Sequence, residues 1–117
     1  LSTNPEIARN YTVVAGTNYL SDTSAQVQRR TILGIYVYPT YNYSGFSNDL
    51  ALLRVAPFTL GSASKVGIIC RSNQNQGTFA VGEDLITLGW GVETYGSAAL
   101  PNALRQVTVQ AVDPNSE

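Results

Sequence analysis

The chain has 117 residues, of which 44% are hydrophobic and 13% are charged, and its formal net charge at pH 7 is −1. The length alone allows at most one small domain, and the near-neutral charge argues against nucleic acid as a partner. No apolar run approaches the roughly 20 residues that span a bilayer, so a membrane is not expected as a partner either.

The cysteine and asparagine patterns point to the compartment. Cys70 is the single cysteine, and the chain has no histidine. Asn10-Tyr11-Thr12 and Asn42-Tyr43-Ser44 are acceptor sequences for N-linked glycans, and with the low lysine content they favour a secreted, extracellular protein. One cysteine is unusual in such a protein unless its disulfide partner lies outside the chain. The composition therefore favours a secreted protein, and the single cysteine is a first indication that the chain is incomplete.

Short β-prone runs, separated by glycines and prolines, follow one another along the chain. Strands are predicted over residues 11–16, 25–38, 49–55, 78–82, 85–92 and 104–112. Gly34 inside the second run indicates a bulge or a close backbone approach. No segment has helical periodicity over 11 or more residues, so the sequence predicts an all-β barrel or sandwich.

The run Asn48-Asp49-Leu50-Ala51-Leu52-Leu53-Arg54-Val55 joins an acidic residue to apolar residues on both faces of a strand. This pattern is typical of a strand buried on both sides or of a short buried helix, and the β-prone neighbours favour the strand. A buried carboxylate needs hydrogen-bond donors, because an isolated charge in low dielectric is very costly. On this run alone, Asp49 either caps the turn at residues 44–48 or has a functional role.

Five motifs follow one another at characteristic spacings. They are Tyr38-Pro39-Thr40-Tyr41-Asn42, Asn48-Asp49-Leu50-Ala51-Leu52-Leu53, Val66-Gly67-Ile68-Ile69-Cys70, Leu88-Gly89-Trp90-Gly91 and Leu100-Pro101 with Leu104-Arg105-Gln106-Val107. Taken together, they resemble the trypsin/chymotrypsin-like serine proteases over nearly all of residues 11–112. The second motif resembles the family's Asn-Asp-Ile-Ala-Leu-Leu run, which carries the aspartate of the catalytic triad.

The resemblance implies an antiparallel fold of two β-barrels, with residues 1–72 as the remainder of the first barrel and residues 73–117 as the start of the second. In this family a serine attacks the scissile carbonyl, a histidine transfers the proton, and an aspartate orients the histidine. Asp49 matches that aspartate, but the chain has no histidine and no Gly-Asp-Ser-Gly-Gly stretch. The chain alone is therefore expected to be inactive, and no cofactor or metal is implied.

The resemblance also bears on disulfides and specificity. In relatives, a cysteine at the position of Cys70 can pair with one in the N-terminal activation peptide, which is outside this chain. Leu85 stands where many relatives have a cysteine, so that second disulfide is not expected. The residues that set primary specificity match no part of the chain.

Three interpretations remain open. The chain is the middle of a secreted serine endopeptidase that acts on protein or peptide substrates and needs the remaining segments of the same protease. Alternatively, it belongs to a non-catalytic homologue that serves as a binding or scaffold protein. The third interpretation is an unrelated extracellular β-domain that binds ligands or carbohydrate through tyrosine-rich loops, with Tyr36, Tyr38, Tyr41 and Tyr43 as the tyrosines concerned.

Overall fold

The computed structural model describes residues 10–72 and 79–113. These residues form five strands and one short 3₁₀ turn, which confirms the all-β prediction. In chain order the elements are β1 (Thr12–Ala15), β2 (Gln28–Val37), β3 (Ala51–Val55), the 3₁₀ turn (Ser62–Ser64), β4 (Asp84–Gly89) and β5 (Arg105–Gln110). Across this part of the chain, no helix has the length and apolar character needed to cross a bilayer.

The described residues divide into two compact units. The first contains residues 10–17 and 23–67, and the second contains residues 18–22, 68–72 and 79–113. Residues 18–22 join the second unit through backbone hydrogen bonds: the Leu20 N–H donates to the Asn102 carbonyl over 2.9 Å, and the Leu104 N–H donates to the Asn18 carbonyl over 2.7 Å. The barrel boundaries of 1–72 and 73–117 stay a prediction.

The first unit contains an antiparallel sheet in the order β1-β2-β3. The pairing of β2 with β3 shifts between Ile32, opposite Val55, and Gly34, opposite Arg54. Leu33 is therefore the extra residue of a β-bulge, as Gly34 in the sequence indicates. A Cβ atom added to Gly34 would lie 3.3 Å from the Tyr36 ring, so a side chain of the same strand lies close to Gly34.

The second unit contains the antiparallel pair β4–β5, from Asp84 opposite Gln110 to Gly89 opposite Arg105. The strand predicted for residues 78–82 is wrong over residues 79–82, and Thr78 lies outside the described residues. There the chain turns: the Glu83 N–H donates to the Ala80 carbonyl over 3.0 Å, and Gly82 has a φ of +85°. A glycine readily adopts this positive φ, which a regular strand does not contain.

Few side chains of the described residues are buried. Val27 and Ile32 are the buried hydrophobic residues, whereas Leu52 of β3 is 69% exposed and Ile86 of β4 is 67% exposed. The prediction that β3 is buried on both sides is therefore wrong for this chain, although β3 is a strand. The reason is that a three-stranded sheet covers neither of its own faces, so burial requires a second layer.

Expressed alone, residues 1–117 should aggregate or remain poorly folded. The two buried hydrophobic side chains of residues 10–72 and 79–113 supply too little favourable burial, at about 25 cal/mol per Å² of apolar surface, to offset the loss of chain entropy on folding. Thermal unfolding followed by circular dichroism should show no cooperative transition. A soluble monomer with a sharp transition would contradict this expectation and indicate an autonomous domain.

Candidate active site

Asp49 lies at the centre of a tight turn that leads into β3. The Leu50 N–H donates to the Asn48 carbonyl over 2.8 Å, which closes a γ-turn around Asp49. Asp49 is not among the residues with positive φ, so this is the inverse γ-turn that is common at strand ends. The Leu50 carbonyl then accepts the Tyr38 N–H over 2.9 Å, next to the last pair of the β2–β3 ladder. These bonds define the backbone on the β3 side of Asp49.

On the other side of Asp49, the side chain of Asn48 links the two ends of the loop. Its Nδ2 donates to the carbonyl oxygen and to Oγ1 of Thr40, each over 3.1 Å. Asn48 has a φ of +57°, in the left-handed region that asparagine tolerates better than most residues. The residue directly before Asp49 is therefore held by both its backbone conformation and its amide.

Asn42 orders the middle of the same loop. Its Oδ1 accepts the backbone N–H of Ser44 over 2.9 Å and that of Gly45 over 3.3 Å, and its own N–H donates to the Ser47 carbonyl over 3.0 Å. A hydrogen bond from the backbone N–H of residue i+2 to the side-chain oxygen of an asparagine is an Asx-turn, which the asparagine, serine and glycine content of this segment favours. The Asn42 side chain thus accepts hydrogen bonds from backbone N–H groups of the loop that would otherwise be bonded to water.

The carboxylate of Asp49 takes no part in these bonds. Asp49 is exposed, and no donor of residues 10–72 and 79–113 is hydrogen-bonded to its side chain. The turn at residues 44–48 is bonded by Asn42 and Asn48 instead, so Asp49 is not the residue that caps it. Sequence reasoning missed both asparagine roles, although asparagines at both ends of a loop, each able to bond the nearby backbone, are a usable signal.

A protein-family model described as Trypsin matches residues 2–117. This chain belongs to the trypsin family. It is 30% identical over 105 residues to the serine protease SSP1 of Scolopendra subspinipes, an alignment that covers 89% of this chain and 35% of that protein. It is also 30% identical over 109 residues to U21-ctenitoxin-Pn1a of Phoneutria nigriventer, covering 92% of this chain and 44% of that protein. The chain spans less than half the length of either relative. The family match excludes the interpretation as an unrelated extracellular β-domain.

Trp90 of this trypsin-family chain is half-buried in the second unit. Its Nε1–H donates to the Asn18 carbonyl over 3.1 Å, and the same oxygen accepts the Leu104 N–H. The predicted strand at residues 85–92 ends before it, at Gly89. Trp90 therefore acts as a packing and hydrogen-bonding residue that holds residues 18–22, in line with a structural role.

An open groove of about 590 Å³ follows β4 and β5 and is lined by residues of the second unit only. Glu93 and Arg105 form an ion pair in its wall, and both side chains are at least half exposed. An exposed pair of this kind contributes little to stability. The carboxylate in the groove, Glu93, is paired with Arg105, whereas the carboxylate of Asp49 has no hydrogen-bond partner among the described residues.

The three predicted modification sites are all accessible. Asn10 and Asn42 are exposed, and so is the thiol-bearing residue Cys70. Cys70 follows Ile68 and Ile69, which are 89% and 95% exposed. Because the chain has no second cysteine, a disulfide at Cys70 requires a partner outside it.

Asn42 should carry an N-linked glycan when the complete protein passes through a eukaryotic secretory route, and Asn10 is the second expected site. Nδ2 of Asn42 is the atom to which the glycan attaches, and the loop uses only the Oδ1 of that side chain. Glycopeptide mass spectrometry of the secreted protein checks this expectation, with Ser44→Ala as the control that removes the acceptor sequence and keeps the asparagine. Both asparagines unmodified in the native protein would contradict it.

Cys70 should form a disulfide with a cysteine outside residues 1–117. An exposed thiol in an oxidising compartment is readily oxidised, and secreted proteins rarely retain one. Thiol titration of the denatured, unreduced native protein should find Cys70 blocked, and reduction should release it. One free thiol at Cys70 before reduction would show that the predicted pairing is wrong.

Proposed function

We propose that this chain is the aspartate-bearing middle segment of a secreted serine endopeptidase, which hydrolyses peptide bonds in proteins or peptides with a Ser-His-Asp triad. In this proposal Asp49 is the aspartate of the triad. The observation that carries the proposal is the carboxylate of Asp49, which no group in its loop uses although the backbone on both sides of it is hydrogen-bonded. Membership of the trypsin family gives that carboxylate its chemical context.

In peptide hydrolysis by a Ser-His-Asp triad, the aspartate accepts a hydrogen bond from the Nδ1–H of the histidine. This bond selects the tautomer whose Nε2 takes the serine proton, and the negative charge stabilises the imidazolium that forms. An ionised carboxylate has about four lone-pair sites, so Asp49 can bind the imidazole and further donors together. The histidine and the serine come from segments of the protein outside this chain.

The exposed apolar strands support the same proposal. Leu50 and Leu52, beside Asp49, are more than 60% exposed, and apolar side chains of β4 and β5 are exposed as well. Large apolar side chains exposed on a strand are typical of a surface that another segment covers. We infer that the remaining strands of the protease cover β3 and in doing so exclude water from Asp49.

Secretion is part of the proposal. It is supported by the two exposed glycan acceptors, Asn10 and Asn42, and by a relative that is named as a toxin, U21-ctenitoxin-Pn1a. The partners in this proposal are protein or peptide substrates and the other segments of the same protease. No cofactor is needed, because the three side chains supply the base, the nucleophile and the orienting charge.

A non-catalytic member of the family, acting as a binding or scaffold protein, is the second candidate. The absence of histidine from the chain is the observation that favours it. Mass spectrometry of the native protein distinguishes the two. Peptides that place a histidine before Leu1 and a Gly-Asp-Ser-Gly stretch after Glu117 would establish the enzyme, whereas substitutions at both positions would establish the non-catalytic homologue.

In the complete protein, Asp49→Asn should lower kcat on a peptide ester by about 10⁴-fold, the loss known for this change in this family. The amide presents a donor to the histidine and selects the wrong tautomer, whereas the shape of the side chain is kept. The melting temperature should change little, because the carboxylate of Asp49 makes no bond within its loop. Steady-state kinetics and thermal unfolding check the two expectations.

Asp84→Asn is the matched control. Asp84 is also an exposed aspartate at the start of a strand, where its Oδ1 accepts a hydrogen bond from Gln110 over 3.4 Å. This substitution should leave kcat unchanged. Turnover of Asp49→Asn at the wild-type level would rule out the assignment of Asp49 as the triad aspartate.

A further inference from the structure

We propose that Asn48 is a positioning residue for Asp49, and that its side-chain amide sets the direction in which the carboxylate is presented. This inference rests on the proposed triad role of Asp49. It concerns a residue that touches no substrate and no reacting atom, and that acts through the backbone of its neighbour.

Two hydrogen-bonded links hold the γ-turn, and both end on the same short segment. After Asp49, the Leu50 carbonyl accepts the Tyr38 N–H over 2.9 Å. Before Asp49, the Asn48 amide donates to both oxygens of Thr40 over 3.1 Å. Residues 38–40 thus act as one anchor for the two sides of Asp49. Without the Thr40 link, the Asn42 N–H still holds the Ser47 carbonyl over 3.0 Å, but no side chain holds the residue directly before Asp49.

The chemistry of the link requires an asparagine. A carbonyl oxygen accepts hydrogen bonds and cannot donate, so its partner must be a donor such as the NH₂ group of Asn48. The φ of +57° at residue 48 is strained for most side chains and is tolerated by asparagine and glycine. Asparagine is therefore the residue that combines the left-handed backbone with a donor short enough to reach Thr40.

Loss of this link should displace the carboxylate rather than unfold the loop. Asn42 still bonds Ser44 and Gly45, and the β2–β3 ladder is unchanged. The Asn48 backbone then rotates more freely, and the carboxylate of the next residue swings with it. A misplacement of 1 Å at a catalytic group can cost about 100-fold in rate.

The test uses the complete protease with Asn48→Gly and Asn48→Asp. Glycine keeps the left-handed backbone without strain and removes the amide. Aspartate keeps the size and tolerates the same φ, but it cannot donate to the Thr40 carbonyl when ionised. Each variant should lower kcat on a small peptide ester by roughly 10- to 100-fold, with KM changed by less than about twofold, because orientation of the triad and not substrate binding is affected.

Asn102→Gly is the matched control. The Oδ1 of Asn102 accepts the Ser21 N–H over 2.9 Å in the second unit, so this variant also loses a side-chain bond to the backbone of a distant segment. It should leave kcat unchanged. If the effect of the Asn48 substitutions came only from a general loss of stability, Asn102→Gly should lower the measured activity as well.

The deciding comparison repeats the Asn48 substitutions in the Asp49→Asn background. If Asn48 acts through Asp49, the second substitution should lower kcat by less than about twofold there, since interacting residues are not additive. An equal fold-loss in both backgrounds would overturn the proposal and show a merely structural role. Because the Thr40 hydroxyl could donate to a carboxylate at residue 48, the aspartate variant is combined with Thr40→Val; wild-type kcat in this double variant would also overturn the proposal, even if Asn48→Gly fails to fold.

The outcomes separate this inference from the proposed function. An inactive Asp49→Asn enzyme together with fully active Asn48 variants would contradict the positioning role and leave the triad assignment intact. An active Asp49→Asn enzyme would remove the triad assignment and this inference with it.

Discussion

The antiparallel pairing of β2 with β3 is the constraint on which the candidate site depends. The ladder runs from Ile32 opposite Val55 to Val37 opposite Ala51, and the Tyr38–Leu50 bond extends it to the residue after Asp49. A one-residue slip would move every β3 side chain to the opposite face of the sheet. The pair Val37–Ala51 and the Tyr38–Leu50 bond fix this register beside Asp49, whereas the bulge at Leu33 lies at the other end of the ladder.

In the loop before β3, the residues that order the backbone differ from the residue proposed to take part in catalysis. Asn42 and Asn48 supply the side-chain bonds that order it, and Asp49 supplies none. A charge that is to be buried needs donors, because burial without them is very costly. In the proposed function, the exposed carboxylate and the exposed apolar side chains of β3 have one common explanation: the histidine, the further donors and the covering strands would come from segments outside this chain.

Much of the fold and part of the site follow from the sequence. The β-prone runs predicted all five strands of the described residues to within a few residues, and Gly34 predicted the bulge, because strand propensity and glycine act locally. The strand over residues 79–82 failed because the turn at Gly82 overrides the same local preference. The roles of Asn42 and Asn48 depend on which hydrogen-bonding groups the folded loop brings within about 3 Å of their side chains. The residue types alone do not determine which groups these are.

The distance between the carboxylate of Asp49 and the nearest imidazole, in a crystal structure of the complete protein, tests the account most directly. We expect a histidine Nδ1 within hydrogen-bond reach, about 2.6–3.2 Å from a carboxylate oxygen of Asp49, with the Asn48–Thr40 bonds retained beside it. A carboxylate that remains in solvent, or that pairs with a group other than histidine, would contradict the account.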